Sequence, residues 1–235
     1  MNTEALRTVA ATYGTPTYIF DVREVEARIR LLRSLLPEDT GLCFAVKANP
    51  FLIPYVADLV DRLEVCSPGE YEICIQEQIA PEKIVVSGVN KTYESMKRIL
   101  SYSKGAGIYT IESEEHAKIL RTLAEKNQMP LSVLIRLSSG NQFGVDAETF
   151  LRLAKEIQES PYLTLAGVHY YAGTQKRQSK LEKELDTLTA FAKTFEEETG
   201  TVLNELEYGA GMKVSYFIND SEKDQRESEP EPQIQ

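Results

Sequence analysis

The stretch IVVSGVNKTYESMKRILSYSKGAGIYTIESEEHAKILRTLAEKNQMPLSVLIRL, residues 84–137, decides the fold. It holds three short apolar runs: IVVSG at 84–88, GIYTI at 107–111 and LSVLIRL at 131–137. Between them lie TYESMKRILSY, 92–102, and EEHAKILRTLAEK, 114–126, whose apolar residues recur at helical spacing. Ser113 stands where a cap would open the second helix. Continuous apolar runs suit strands buried on both faces, as in a parallel sheet. Strand, helix and strand repeated in this way predict an α/β fold. Right-handed crossovers then give a doubly wound sheet or a barrel.

The same alternation extends in both directions. Towards the N-terminus lie TYIF at 17–20, LCFAV at 42–46 and LEVCS at 63–67. Towards the C-terminus lie LAGVHYY at 165–171 and LNELEY at 203–208, the weakest run. Segment 22–36 puts Val25, Ile29, Leu32 and Leu36 on one helical face, and helices are also expected over 146–158, with Asp146 as a cap, and 180–198. Ser67 followed by Pro68 reads as a further helix start. Residues 219–235 differ sharply, with six acidic residues, two basic ones and Ile234 as the only aliphatic residue. Such a segment cannot bury enough apolar surface to offset its ordering entropy. The expected organisation is a barrel domain over 1–218 and an acidic disordered tail over 219–235.

Composition narrows the class. The 235 residues are 42% hydrophobic and 26% charged, with a formal net charge of -10. This excludes collagen-like and wholly disordered chains and disfavours nucleic acid or an anionic membrane as partner. Cys43, Cys66 and Cys74 form no CxxC pair and read as buried, reduced thiols acting as small hydrophobes, the first two within apolar strand-like runs. Two histidines, His116 and His169, leave too few ligands for a zinc site, so no metal is expected. No signal-peptide core or membrane-length apolar run is present, which points to the cytoplasm.

In α/β architectures the ligand sits at the carboxyl ends of the strands. The residues just after each run therefore carry the chemistry. FAVKANP places Lys47 at the end of the first run, either as a solvated lysine or as a half-buried Schiff-base nucleophile. EVCSPGE offers Ser67, Gly69 and Glu70, the sheet's centre offers Arg136, and GVHYYAGTQ offers His169, Tyr171, Gly173 and Thr174. EYGAGM ends the last run, and its small residues would let backbone amides approach phosphate oxygens. Singly each has a bland reading: GAG as a turn, His169 as a satisfied core histidine.

Taken in order, FAVKANP, EVCSPGE, IVVSGVNK, YTIES, IRL with QFGV, GVHYYAGTQ and LEYGAG resemble the N-terminal barrel domain of the ornithine/diaminopimelate/arginine decarboxylase family. These are the fold-type III pyridoxal-phosphate enzymes, whose barrel is also similar to that of alanine racemase. The resemblance covers residues 10–217. It implies a (β/α)8-type TIM barrel and pyridoxal 5'-phosphate as cofactor. Lys47 matches the lysine that carries the cofactor as a Schiff base, Arg136 an arginine near it, and Thr174 a residue contacting its phosphate. Gly209 and Gly211 match the outer glycines of a phosphate loop, and Glu64 an acidic position in the pocket. The activity implied is decarboxylation of an amino acid, free or carrier-bound, with a racemase less favoured.

Three departures from the family pattern stand out. Tyr171 occupies the position of a histidine that stacks on the cofactor ring. Ala210 replaces the middle glycine of the phosphate loop. No Glu-Pro-Gly-Arg motif follows an eighth strand, since EPEP at 229–232 lacks the Gly-Arg and a preceding apolar run. The expectation is thus an incomplete barrel of seven core strands without the C-terminal β-domain. Such a chain is a truncated or split enzyme, with a separate C-terminal partner chain and a homodimer among its partners, or a non-catalytic cofactor- or partner-binding pseudoenzyme.

Overall fold

The computed structural model describes residues 3–140 and 143–214. The acidic stretch 219–235, and with it the expected disorder, lies outside the described residues.

Two helices, α1 (Thr3–Tyr13) and α2 (Val22–Leu35), precede the sheet. The repeating part then runs β1 (Cys43–Ala45), α3 (Ile53–Val56), β2 (Arg62–Val65), α4 (Pro68–Gln76), β3 (Ile84–Val86), α5 (Tyr93–Ser103) and β4 (Ile108–Ile111). It continues through α6 (Glu114–Asn127), β5 (Leu131–Arg136), α7 (Ala147–Gln158), β6 (Leu163–Tyr171), α8 (Gln178–Thr199) and β7 (Glu205–Gly209). The helix starts follow their caps. Ser67 accepts from the Glu70 amide, Ser113 from that of His116 and Asp146 from that of Thr149. Each satisfies an amide that the helix itself cannot pair.

All seven strands are parallel, each hydrogen-bonded to its sequence neighbours, in the order β1 to β7. The sheet curls far enough that Arg62 of β2 forms an ion pair with Glu205 of β7, five strands away. The result is a barrel open on one side, with no strand pairing β1 to β7 among the described residues. Alternation along each strand makes two cores. Leu63, Ile84, Val86, Tyr109 and Ile111 face outwards and pack in one cluster with Met96, Leu100, Leu120 and Phe150 of the helices. Val85, Ile108 and Leu134, with Ala166, form a smaller inner cluster. Fully burying a side chain of this size contributes about 1.5–3 kcal/mol, so the outer cluster dominates stability.

Two expectations need correction, and one helix was missed. TYIF at 17–20 is not a strand: Pro16 has no amide to donate, and the α2 cap Asp21 follows at once. Helix α1 was not legible from the sequence; it buries no residue. Cys43 is exposed rather than buried, because β1 edges the open side and turns this residue towards the gap. No helix among the described residues is long and apolar enough to cross a membrane.

Candidate active site

The strand ends deliver an upper layer of three side chains. β1 stops at Ala45, and a 3-10 turn over Val46–Ala48 lifts Lys47 to the mouth, where it is exposed. β6 alternates His169 inwards, Tyr170 outwards and Tyr171 inwards. The Lys47 Nζ lies 5.3 Å from the centroid of the Tyr171 ring. Arg136, at the end of β5, brings its guanidinium carbon to 5.9 Å from the same ring and 5.5 Å from that of Phe143. One aromatic ring is thus shared by two cations, an arrangement its quadrupole favours. Arg136 is buried, and its Nε has no hydrogen-bond partner among the described residues.

The loops after β6 and β7 meet beside this layer. A Cβ on Gly209 would lie 2.5 Å from Tyr171 Cδ2, so the glycine makes room for the ring. Gly211 has φ +58°, and a Cβ there would lie 2.1 Å from the Gly173 carbonyl oxygen. The two loops therefore pack backbone against backbone. The Lys176 amide donates to Gly211 O at 2.9 Å and the Lys213 amide to Lys176 O at 3.0 Å. Thr174 sits on this junction and is exposed.

A second layer lies below. Glu64 of β2, His169 of β6 and Glu207 of β7 bring one ligand atom each within 4.8 Å of one another. His169 Nε2 is 3.7 Å from Glu64 Oε1. Burial pushes the Glu64 carboxyl up, but the neighbouring His169, Ser87 and Lys47 outweigh it and hold the group down at about 2. Glu207 is pushed up to about 7, first by burial and then by the nearby Glu64 and Glu205, against the pull of His169 and Arg62. Cys43 is exposed through the gap yet deeply set among protein atoms. That setting, with Glu207 and Glu64 beside it, pushes its thiol well above the usual range.

Of the residues the sequence singles out, Lys47, Arg136 and Tyr171 gather in the upper layer, Glu64 lies beneath them, and Thr174, Gly209 and Gly211 form the loop junction. Glu70 does not enter the site: its carboxylate accepts from the Cys66 amide at 2.8 Å and from the Ser67 hydroxyl at 3.2 Å, which fixes the start of α4. Sequence reasoning missed Glu207 and Lys176. Alternating Glu205 and Glu207 in the weakest run was the available signal, since period two puts both on one face. Buried Lys91 is also occupied, donating to Glu112 at 2.6 Å, to Thr110 at 3.2 Å and to the Gly88 carbonyl. A cavity of about 350 Å³, lined by Ser139, Tyr170, Lys180, Lys183 and Glu184 among others, lies on the outer side of β6 beneath α8, away from Lys47.

Comparison with known proteins matches residues 22–230 to the family described as pyridoxal-dependent decarboxylase, pyridoxal binding domain. The chain is 31% identical over 235 residues to diaminopimelate decarboxylase of Actinosynnema pretiosum, covering 92% of this chain and 52% of that protein. It is likewise 31% identical to the diaminopimelate decarboxylase of Pseudomonas aeruginosa, covering 90% of this chain and 55% of the relative. The chain spans about half the length of the curated relatives it matches. Its fold is that of the crystal structure of diaminopimelate decarboxylase from Helicobacter pylori complexed with L-lysine. The TM-score is 0.77 at 22% identity, over 94% of this chain and 59% of that one.

Proposed function

The chain belongs to the pyridoxal-dependent decarboxylase family through its pyridoxal binding domain, and from that premise we propose that it is the cofactor-holding part of an amino-acid carboxy-lyase. The observation that carries the reading is the convergence of Lys47, Tyr171 and Arg136 on one mouth, beside a glycine junction. The residues fit the cofactor. Arg136 Nε is a buried donor with no partner among the described residues, so a polar atom of a bound group would satisfy it. The junction at Gly209 and Gly211 has no space for a Cβ, because the Tyr171 ring and the Gly173–Thr174 backbone fill it, so the two loops that would hold the phosphate are locked together.

Pyridoxal phosphate, when bound, supplies an aldehyde that condenses with an amine and a ring that accepts the electrons left as carbon dioxide departs. Lys47 Nζ, at the mouth and 5.3 Å from the Tyr171 ring, is the amine that would hold it. Tyr171 supplies a flat face where a cofactor ring would stack, and the two neighbouring cations keep the Tyr171 ring in place. Thr174 and the Gly209–Gly211 backbone would hold the phosphate. Glu64, ionised at neutral pH, places a negative charge beneath Lys47. The substrate is an amino acid, free or carrier-bound. The open side of the sheet, between β1 and β7, is where a further strand and a C-terminal β-domain partner would complete the enzyme, with a homodimer as the assembly.

The test is an absorbance scan of purified chain with pyridoxal phosphate before and after borohydride reduction. The expected result is a reducible band and a covalent label on the wild-type chain, both lost in Lys47→Ala. Label persisting on that variant, at Lys91 or Lys213, would overturn the assignment.

A further inference from the structure

Lys176 is almost wholly buried, with 3% of its surface exposed, although it follows directly on an exposed loop. Its Nζ donates to Glu184 Oε2 of α8 at 2.6 Å and to the Gly209 carbonyl at 3.2 Å, and lies 5.0 Å from the centroid of the Tyr208 ring. The Tyr208 hydroxyl donates to the same Glu184 oxygen at 2.7 Å. The Lys176 backbone binds the same loop twice more, through Gly211 O and the Lys213 amide. One residue from the loop after β6 therefore grips the loop after β7 at three successive points.

The grip has a directional consequence. A trans peptide points its carbonyl and the next amide in opposite directions. With the carbonyls of Gly209 and Gly211 turned towards Lys176, the amides of Ala210 and Met212 are turned away from it. A phosphate cradle needs that polarity, with amides presented and carbonyls held back. β7 pairs with β6 only, so on its other side no described strand steadies the loop. Glu184 balances the lysine charge within the buried cluster. Lys176 is therefore already committed to protein partners and is not itself an anion ligand.

We propose that Lys176, anchored by Glu184 and Tyr208, is a positioning residue that orients the Gly209–Met212 amides towards the cofactor phosphate. This rests on the pyridoxal-phosphate reading above. Removing the lysine alone would leave Glu184 buried and unpaired, which threatens folding. The main variant is therefore the charge-neutral pair Lys176→Met with Glu184→Gln. Tyr208→Phe, which removes only a hydroxyl, is the second.

Affinities for pyridoxal phosphate and for pyridoxal, which lacks the phosphate, are read by fluorescence on the full chain, with thermal melts as a check on folding. The expected result is a loss of about tenfold in affinity for the phosphate form in the double variant, the scale of one charge-assisted hydrogen bond. Pyridoxal affinity should change less than about twofold, and Tyr208→Phe should shift the ratio in the same direction by a smaller factor. A double variant that distinguishes the two ligands as well as the wild type does, or loses both equally, overturns this inference alone. A wild-type chain that binds neither ligand overturns the cofactor reading, and this inference with it.

Discussion

Gly211→Ala isolates the contact on which the loop junction depends. The residue has φ +58°, and a Cβ would stand 2.1 Å from Gly173 O and 3.1 Å from Thr174 Cα. An ordinary non-bonded contact is about 3.5 Å, so the loops would have to part by more than about 1 Å. Two contributions add. The left-handed backbone disfavours alanine by about 1–2 kcal/mol. Parting the loops sacrifices the bond from the Lys176 amide to Gly211 O, worth about 0.5–1.5 kcal/mol net. Together they predict a loss of about 1.5–3.5 kcal/mol. Gly200→Ala is the matched control: φ is +66° at the end of α8, and nothing lies within 4 Å of the added methyl. It should lose only the conformational part, about 1–2 kcal/mol. Urea unfolding of the two variants reads the difference directly, and a borohydride label on each reads the site. If Gly211→Ala is no less stable than Gly200→Ala and labels like the wild type, the backbone-to-backbone junction is refuted.

Two further predictions follow from the inner layer. Glu207 titrates at about 7 in the folded chain against an ordinary value of 4.5, so the folded state holds its proton more tightly than the unfolded state does. The stability tied to this proton is fully present below pH 4.5 and is lost as pH rises through 7, to a limit of about 3 kcal/mol. Cys43 from β1, Arg62 and Glu64 from β2, His169 from β6 and Glu205 from β7 all face this group. Urea midpoints measured across that range should flatten in Glu207→Gln, and an unchanged slope would contradict the assignment. Glu64 has the opposite sign: held at about 2, it stabilises above pH 4.5 and loses that contribution as pH falls towards 2. A double-mutant cycle on Arg62 and Glu205, through Arg62→Met and Glu205→Gln, should give a coupling of about 0.5–1 kcal/mol, the partly exposed pair being screened by solvent. Zero coupling would mean that β2 and β7 are not tied across the interior.

What the sequence made legible follows from burial. IVVSG, GIYTI and LSVLIRL could be read as strands because each is covered on both faces, by helices outside and by Val85, Ile108 and Leu134 inside. Lys47 and Arg136 were visible because a cation ending an apolar run interrupts it. Four features were hidden for different reasons. TYIF has strand composition but no neighbouring strand to pair with. Helix α1 buries no residue, so no core position marks it in the sequence. Cys43 belongs to an apolar run by composition, yet its exposure depends on how β1 faces the gap. Lys176 reads as one surface lysine among several in KRQSKLEKE, residues 176–184. Only the third dimension brings Glu184 and the Gly209 carbonyl to its amine.

The barrel interior is divided, and the division explains why the site and the seam are linked. β3, β4 and β5 contribute Val85, Ile108 and Leu134, a dry plug on the closed side. β1, β2, β6 and β7 contribute Cys43, Arg62, Glu64, His169, Glu205 and Glu207, a charged wall on the side that is open. Charged groups set into an interior are tolerated when paired or hydrogen-bonded, and here the partly exposed Arg62 faces Glu205 across the barrel and Glu64 faces His169. The same contacts that span the curled sheet therefore set the electrostatics beneath Lys47. Covering the open side would remove water from Glu207, the group already burdened by burial, and raise its hold on a proton further. Closure of the barrel and the charge state of the layer under the cofactor mouth are in this way coupled: apolar cover over the gap between β1 and β7 raises the titration of Glu207, and cover that brings a cation to it lowers it.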